Sequence, residues 1–246
     1  MHRVEDVMGT TVSLDLAEPL PDERLVEELF AWMHAVDARF STYKADSEVN
    51  RLDRGELGPG AMSPLLRDVL ERCAALWTDT GGYFDAYATG RFDPSGYVKG
   101  WAVQVASDRL LAQGVVNHCV NAGGDVRVRG TADGRPWRVG VRHPWQADRT
   151  CLVVAGTDLA VATSGVYERG HHIIDPLSGE PARGLCSVTV VGPDLGTADA
   201  YATAGLAMGL AGKAWLAGLP GYESAVVTDG GEFFCSDAMP THDGAA

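Results

Sequence analysis

The spacing of apolar positions changes period several times along the chain. Over residues 9–17, Val12, Leu14 and Leu16 alternate with polar neighbours, which predicts a strand. Residues 22–40 switch to helical spacing. Leu25, Leu29, Trp32, Met33 and Val36 share one face, and the acidic first turn suits the helix dipole. Ser63-Pro64 reads as a cap followed by a first-turn proline, ahead of a stripe of Leu66, Val69, Leu70, Cys73 and Trp77 that Gly81-Gly82 ends. A third helix is predicted over 98–113, with Gly114 as its C-terminal glycine. Strand patterns follow at 115–120, 126–128, 137–141, 151–155 and 187–191. Residues 197–208 return to small side chains at helical spacing, and 222–228 with 232–235 form a closing hairpin around Asp229-Gly230-Gly231. Helices and strands intermix, and short loops join the later strands. This predicts an α+β fold, a mainly antiparallel sheet with packed helices, in one domain over 1–246 with a frayed tail from about 237.

Composition narrows the partners. With 46% apolar and 22% charged residues in 246, the chain can bury a sizeable core. A formal charge of −13 argues against nucleic acid or an anionic membrane, though a divalent cation in one pocket still permits a nucleotide. Five dispersed cysteines without a C-x-x-C pair read as buried thiols rather than a disulfide framework. The first residues lack a basic start and apolar stretch, and no apolar run reaches about 18 residues. The expectation is a cytoplasmic protein without membrane insertion.

Two motifs mislead. Gly205 to Lys213 ends in Gly-Lys, but Ala214 follows where a phosphate loop needs Ser or Thr, so close helix packing explains its glycines better. His171-His172 invites a metal reading, but adjacent side chains diverge and no H-E-x-x-H accompanies them. A Ser164, His172, Asp175 hydrolase can be drawn, but no G-x-S-x-G elbow supports it. Asp199 and Thr203, four apart, share one side of a predicted helix and offer hard oxygens of the kind magnesium takes. An ordinary helix start reads as well. Asp93 through Gly100 joins an acid, a turn and a helix start, as a ligand site or a capped turn would. Asn121 through Asp125 permits close approach to backbone or simply turns between strands.

The ordered set of blocks is more specific than any one. Met8-Gly9-Thr10, Phe40-Ser41-Thr42-Tyr43, Ser47 through Leu52, Gly82-Tyr83-Phe84-Asp85, Asp93 through Gly100, Asn121 through Asp125, Ala162 through Gly165, His172 through Pro176 with Ser178-Gly179, Ser187 through Val190 and Ala198 through Thr203 follow in sequence. This series resembles the ApbE family of FAD:protein FMN transferases from about Val7 to Met208. The resemblance implies that Met8, Tyr43, Tyr83, Phe84, Asp85, Asp93, Lys99 and Ile173 line the flavin nucleotide. It also implies that the Gly96 carbonyl, Asp199 and Thr203 hold Mg2+. FAD would be the substrate, and FMN would pass to a Thr or Ser hydroxyl of an acceptor flavoprotein with release of AMP. Asp199 and His172 are the catalytic candidates, His172 to orient or deprotonate that hydroxyl. Two departures stand out: the chain between Asp85 and Asp93 is short for the family, and Ala202 stands where some members carry an acid. A magnesium-dependent FAD pyrophosphatase and a non-catalytic flavin store are the rival readings.

Overall fold

The computed structural model describes residues 1–146, 148–166 and 173–241. Strands β1 (His2–Val7) and β2 (Thr10–Leu16) form a hairpin in which Val7 pairs with Thr10 across the two-residue turn Met8-Gly9. Both turn residues are left-handed, at φ 56° and 70°, the turn geometry whose twist matches flanking strands. The alternation that predicts β2 is missing from β1, because most of its side chains are exposed.

Helix α1 (Arg24–Phe40) buries Leu29, Trp32, Met33 and Val36 as predicted, with Val26 and Phe30 inward where Leu25 was expected. Helix α2 (Glu48–Asp53) is too short to show a period and is announced by its cap: Ser47 Oγ accepts from the Asn50 amide at 3.2 Å. In α3 (Pro64–Asp79), Ser63 Oγ accepts from the Leu66 amide at 3.1 Å, but Leu76 is buried while Trp77 is 52% exposed. Helix α4 (Ser95–Ala112) starts three residues before the predicted 98. Asp93 Oδ1 accepts from the Ser95 amide at 3.0 Å, so a polar tie rather than an apolar period sets its start.

The remaining elements are β3 (His118–Ala122), β4 (Asp125–Arg129), β5 (Thr131–Ala132), β6 (Arg135–Arg142), β7 (Thr150–Gly156), β8 (Asp158–Gly165), β9 (Leu185–Gly192), α5 (Leu195–Ala207), α6 (Leu210–Ala217), β10 (Glu223–Thr228) and β11 (Phe233–Cys235). Eight strands form one sheet in the order β1-β2-β3-β4-β8-β9-β10-β11, antiparallel at every pairing; β5-β6-β7 form a second. The α+β fold with a mainly antiparallel sheet is therefore as expected. Strand β8 and helix α6 had no element predicted for them, and β3 lies three residues beyond 115 at its start.

The large sheet is covered on both faces. One core joins it to the helices. The other joins Val126, Val128, Val161 and Val191 to Val139, Val141, Leu152 and Val154 of the small sheet. Alternation then dictates the other face of β4: Asp125, Arg127 and Arg129 point toward α4, where they meet Lys99, Gln104 and Asp108 in turn. The segment expected to fray from 237 packs against β7 as far as Thr241. Met239 is buried, and the Ala155 amide donates to the Pro240 carbonyl at 2.8 Å. A Cβ at Gly212 would overlap the Gly205 carbonyl, so these glycines do serve helix packing. No described helix is long and apolar enough to cross a membrane.

His118, fully buried, ties β3 to α4. Its Nδ1 lies 2.9 Å from the Val115 carbonyl and therefore carries the proton, leaving Nε2 to accept from Ser107 Oγ at 2.7 Å. Burial pushes its pKa from the ordinary 6.5 down to about 4. Between those values the unfolded chain binds more protons than the folded one. The contribution of His118 to stability is thus complete above pH 6.5 and is lost as pH falls toward 4, on the order of 3 kcal/mol in all. Urea unfolding at pH 7.5 and pH 4.5 will show this loss, and His118→Gln will show a smaller one. Equal losses in both proteins would remove His118 as its source.

Candidate active site

One cleft of ≈ 570 Å³ opens between the β1–β2 turn, the end of α1, the start of α4, the end of β8 and α5. It is lined by every site residue singled out in the sequence apart from His172: Met8, Tyr43, Tyr83, Phe84, Asp85, Asp93, Gly96, Lys99, Ile173, Asp199 and Thr203. His172, like His171, lies outside the described residues. The short stretch after Asp85 still supplies wall, through Ala86, Ala88 and Thr89.

The polar end is built by α4 against α5. Asp199 is 4% exposed, and its Oδ2 accepts from the Gly100 amide at 3.0 Å. In an α-helix that amide lies one turn from the Gly96 carbonyl, so Asp199 reaches α4 within one turn of Gly96, which lines the cleft. Lys99 Nζ contacts Asp125 Oδ2 and lies 3.8 Å from Asp199 Oδ2. Burial pushes the Asp199 carboxyl above the usual carboxylate range, against the opposing pull of the Lys99 ammonium and the Gly100 amide. Thr203 Oγ1 lies 3.2 Å from Ser164 Oγ, and a Cβ at Gly96 would come within 3.0 Å of Thr203 Oγ1. Glycine at 96 is what lets the two helices meet here.

The apolar end holds Phe84, 3% exposed, beside half-buried Tyr83, Ile173 and Met8; Tyr43, 91% exposed, stands at the mouth. Ser164, which the sequence draws only into a hydrolase triad, lines the cleft, and Asp125 holds Lys99 from behind it. Asp125 follows two turn glycines, and nothing in its spacing links it to Lys99, 26 positions earlier. Met8 carries a left-handed φ that costs a non-glycine residue about 1–2 kcal/mol, yet its side chain lines the cleft. Met8→Asn, which adopts this backbone region more readily, is expected to raise stability by about 1 kcal/mol. Thermal unfolding checks it; an unchanged or lower midpoint would mean that the Met8 backbone stores no such strain.

A sheet-floored cleft with an apolar end and, at the other, a buried carboxylate with a half-buried hydroxyl and amine defines a class: an α+β protein with a site for a mixed apolar and polar ligand. The chain belongs to the ApbE family, whose model matches residues 8–91 and 86–227. It is 39% identical over 128 residues to an FAD:protein FMN transferase of Vibrio cholerae and 35% identical over 158 residues to one of Rhodobacter capsulatus. These alignments cover 48% and 61% of this chain, and they span 38% and 30% of the relatives' length. Among solved structures, the flavin transferase ApbE from Vibrio cholerae superposes with a TM-score of 0.85 at 26% identity, over 96% of this chain and 97% of that one. The flavinyl transferase ApbE of Pseudomonas stutzeri superposes at 0.81 with 25% identity, over 96% and 94%.

Proposed function

We propose that this protein moves the FMN half of FAD onto a Thr or Ser hydroxyl of an acceptor protein, forming a phosphoester and releasing AMP, with Mg2+ as cofactor. The carrying observation is the shared cleft, in which an apolar pocket suited to an isoalloxazine ring adjoins the oxygens of Asp199, Thr203 and Gly96. Its volume falls within the roughly 300–1,000 Å³ of small-molecule sites.

The donor set fits magnesium. One carboxylate, one hydroxyl and one carbonyl are hard oxygens, and the remaining positions would fall to pyrophosphate and water, the arrangement this ion prefers. Among the described residues no group of three His, Cys, Asp or Glu forms a denser cage. When bound, the ion supplies charge neutralisation at the pyrophosphate as the phosphorus–oxygen bond breaks.

In the reaction, the acceptor oxygen bonds to the FMN phosphorus. The bond from that phosphorus to the bridging oxygen breaks, and AMP departs with that oxygen. The hydroxyl proton passes to a base, the role assigned to His172. Asp199 and Thr203 hold their oxygens at fixed positions on α5, while Lys99 sets a second positive charge beside Asp199. Tyr83, Phe84, Asp85 and Ile173 hold the flavin half, and Asp93 accepts hydrogen bonds from ligand donors. Catalysis is thus mainly orientation and electrostatics.

The test is incubation with FAD, magnesium and a Thr-containing acceptor fragment, read by intact mass. A gain equal to FMN on the acceptor is expected. Free FMN and AMP with no gain would favour the pyrophosphatase, and intact FAD a flavin store.

A further inference from the structure

Helices α4 and α5 run against each other as a ladder with rungs four residues apart. At the base, Gln104 Oε1 accepts from the amide of Leu195, the first residue of α5, at 3.1 Å. One turn along, the Gly100 amide donates to Asp199 Oδ2 at 3.0 Å, and one turn further Gly96 abuts Thr203. The pairs 104–195, 100–199 and 96–203 keep one register, and the last two carry the proposed magnesium oxygens. Gly100 is required at the middle rung, since a Cβ there would lie 2.5 Å from the Leu195 carbonyl.

The base rung is itself held from the sheet. Gln104 Oε1 also accepts from Arg127 Nε at 3.0 Å, while Gln104 Nε2 donates to Asp108 Oδ1 at 3.1 Å. Every polar atom of the Gln104 amide is thereby assigned, and its oxygen has one orientation. Arg127, 2% exposed, is held in turn by the Val128 carbonyl at 2.8 Å and by Asp158 Oδ1 at 2.5 Å. A buried ion pair of this kind is weak evidence for stability in itself, but its hydrogen bonds fix where the Gln104 oxygen stands.

We infer that Gln104, oriented by Arg127, is a positioning residue that sets the register of α5 on α4 and thereby places Asp199 and Thr203 opposite Gly96. The inference rests on the reading of those three residues as the magnesium site. Gln104 touches neither the cleft nor any ligand in this scheme and acts only through the Leu195 amide.

Two variants test it. Gln104→Met keeps the length of the side chain and removes the acceptor; Gln104→Glu, made together with Asp108→Asn so that its second oxygen meets an amide donor rather than a carboxylate, keeps an acceptor oxygen at the same reach. Half-saturating magnesium for AMP release from FAD should rise about tenfold to 100-fold in Gln104→Met, in the range for residues that support a metal ligand. The Gln104→Glu, Asp108→Asn protein should stay within about threefold of wild type. Amide hydrogen exchange, run without FAD or magnesium, should show faster exchange at Leu195 and Gly100 in Gln104→Met only. If Gln104→Met does not fold, Gln104→Asn, which withdraws the amide by one methylene, takes its place with the same expectation. Wild-type magnesium dependence and exchange in the folded acceptor-free variant would overturn the inference, as would a Gln104→Glu, Asp108→Asn protein as impaired as Gln104→Met. Magnesium-independent behaviour of the wild type would instead overturn the metal site, and the exchange data would still judge the ladder.

Discussion

Asp199→Asn is expected to lower magnesium-dependent AMP release from FAD by at least about 100-fold while leaving the protein folded. Asparagine keeps an oxygen in place for the Gly100 amide, so the tie between α4 and α5 survives. What it removes is the charge, and with it the only anionic donor of the proposed magnesium set. Stability should change little. The ionised carboxylate is disfavoured by burial in the metal-free protein, and Lys99 retains Asp125 as its partner. Rates of AMP release across a magnesium titration check this. Near-normal turnover at saturating magnesium would take Asp199 out of the metal site and return it to a helix start of no catalytic consequence.

Lys99→Met is expected to cost about 3–5 kcal/mol of stability, because it strips the shared cation from two buried carboxylates. Asp125 is fully buried. Its Oδ1 accepts from the Thr163 amide at 3.3 Å, and its Oδ2 faces Lys99. Adding Asp125→Asn to Lys99→Met should recover part of the loss, since the amide keeps the acceptor for Thr163 without the charge. Urea unfolding of wild type, both single variants and the double variant closes the cycle. Additive losses would mean that the pair is not coupled. The same cation lies beside Asp199, so Lys99→Met should also raise the magnesium requirement if it helps hold that carboxylate ionised.

Much of the site was legible as residues, less as geometry. Eleven residues that line the cleft sit in blocks whose order along the sequence resembles the family. The spacing of Asp199 and Thr203 places them on one side of a helix but by itself favours an ordinary helix start; only the ordered blocks point to a cation site. The sequence draws Ser164 only into a hydrolase triad and leaves Asp125 between a ligand loop and a tight turn, for a physical reason. Asp125 follows Gly123-Gly124, and both glycines adopt positive φ, which a tight turn explains as well as a ligand does. Ser164 lies on β8, which was not predicted although Leu159 through Ala162 are apolar. Its residues face two cores at once, so no alternation marks it.

The sequence by itself determined what depends on neighbours within a few positions. These are the apolar face of α1, the Ser63 cap of α3, the glycine end of α4, the alternation of β2 and the placement of Asp199 and Thr203 on one side of a helix. The tertiary structure alone decided that Gln104 meets Leu195, that Gly100 meets Asp199, and that Lys99 lies between Asp125 and Asp199. These contacts join residues 26 to 100 positions apart. They arise only when glycines at 96 and 100 admit α5 at close range and when alternation along β4 turns its charged side chains toward α4. No local period encodes that approach, because it depends on how two packed faces fit together.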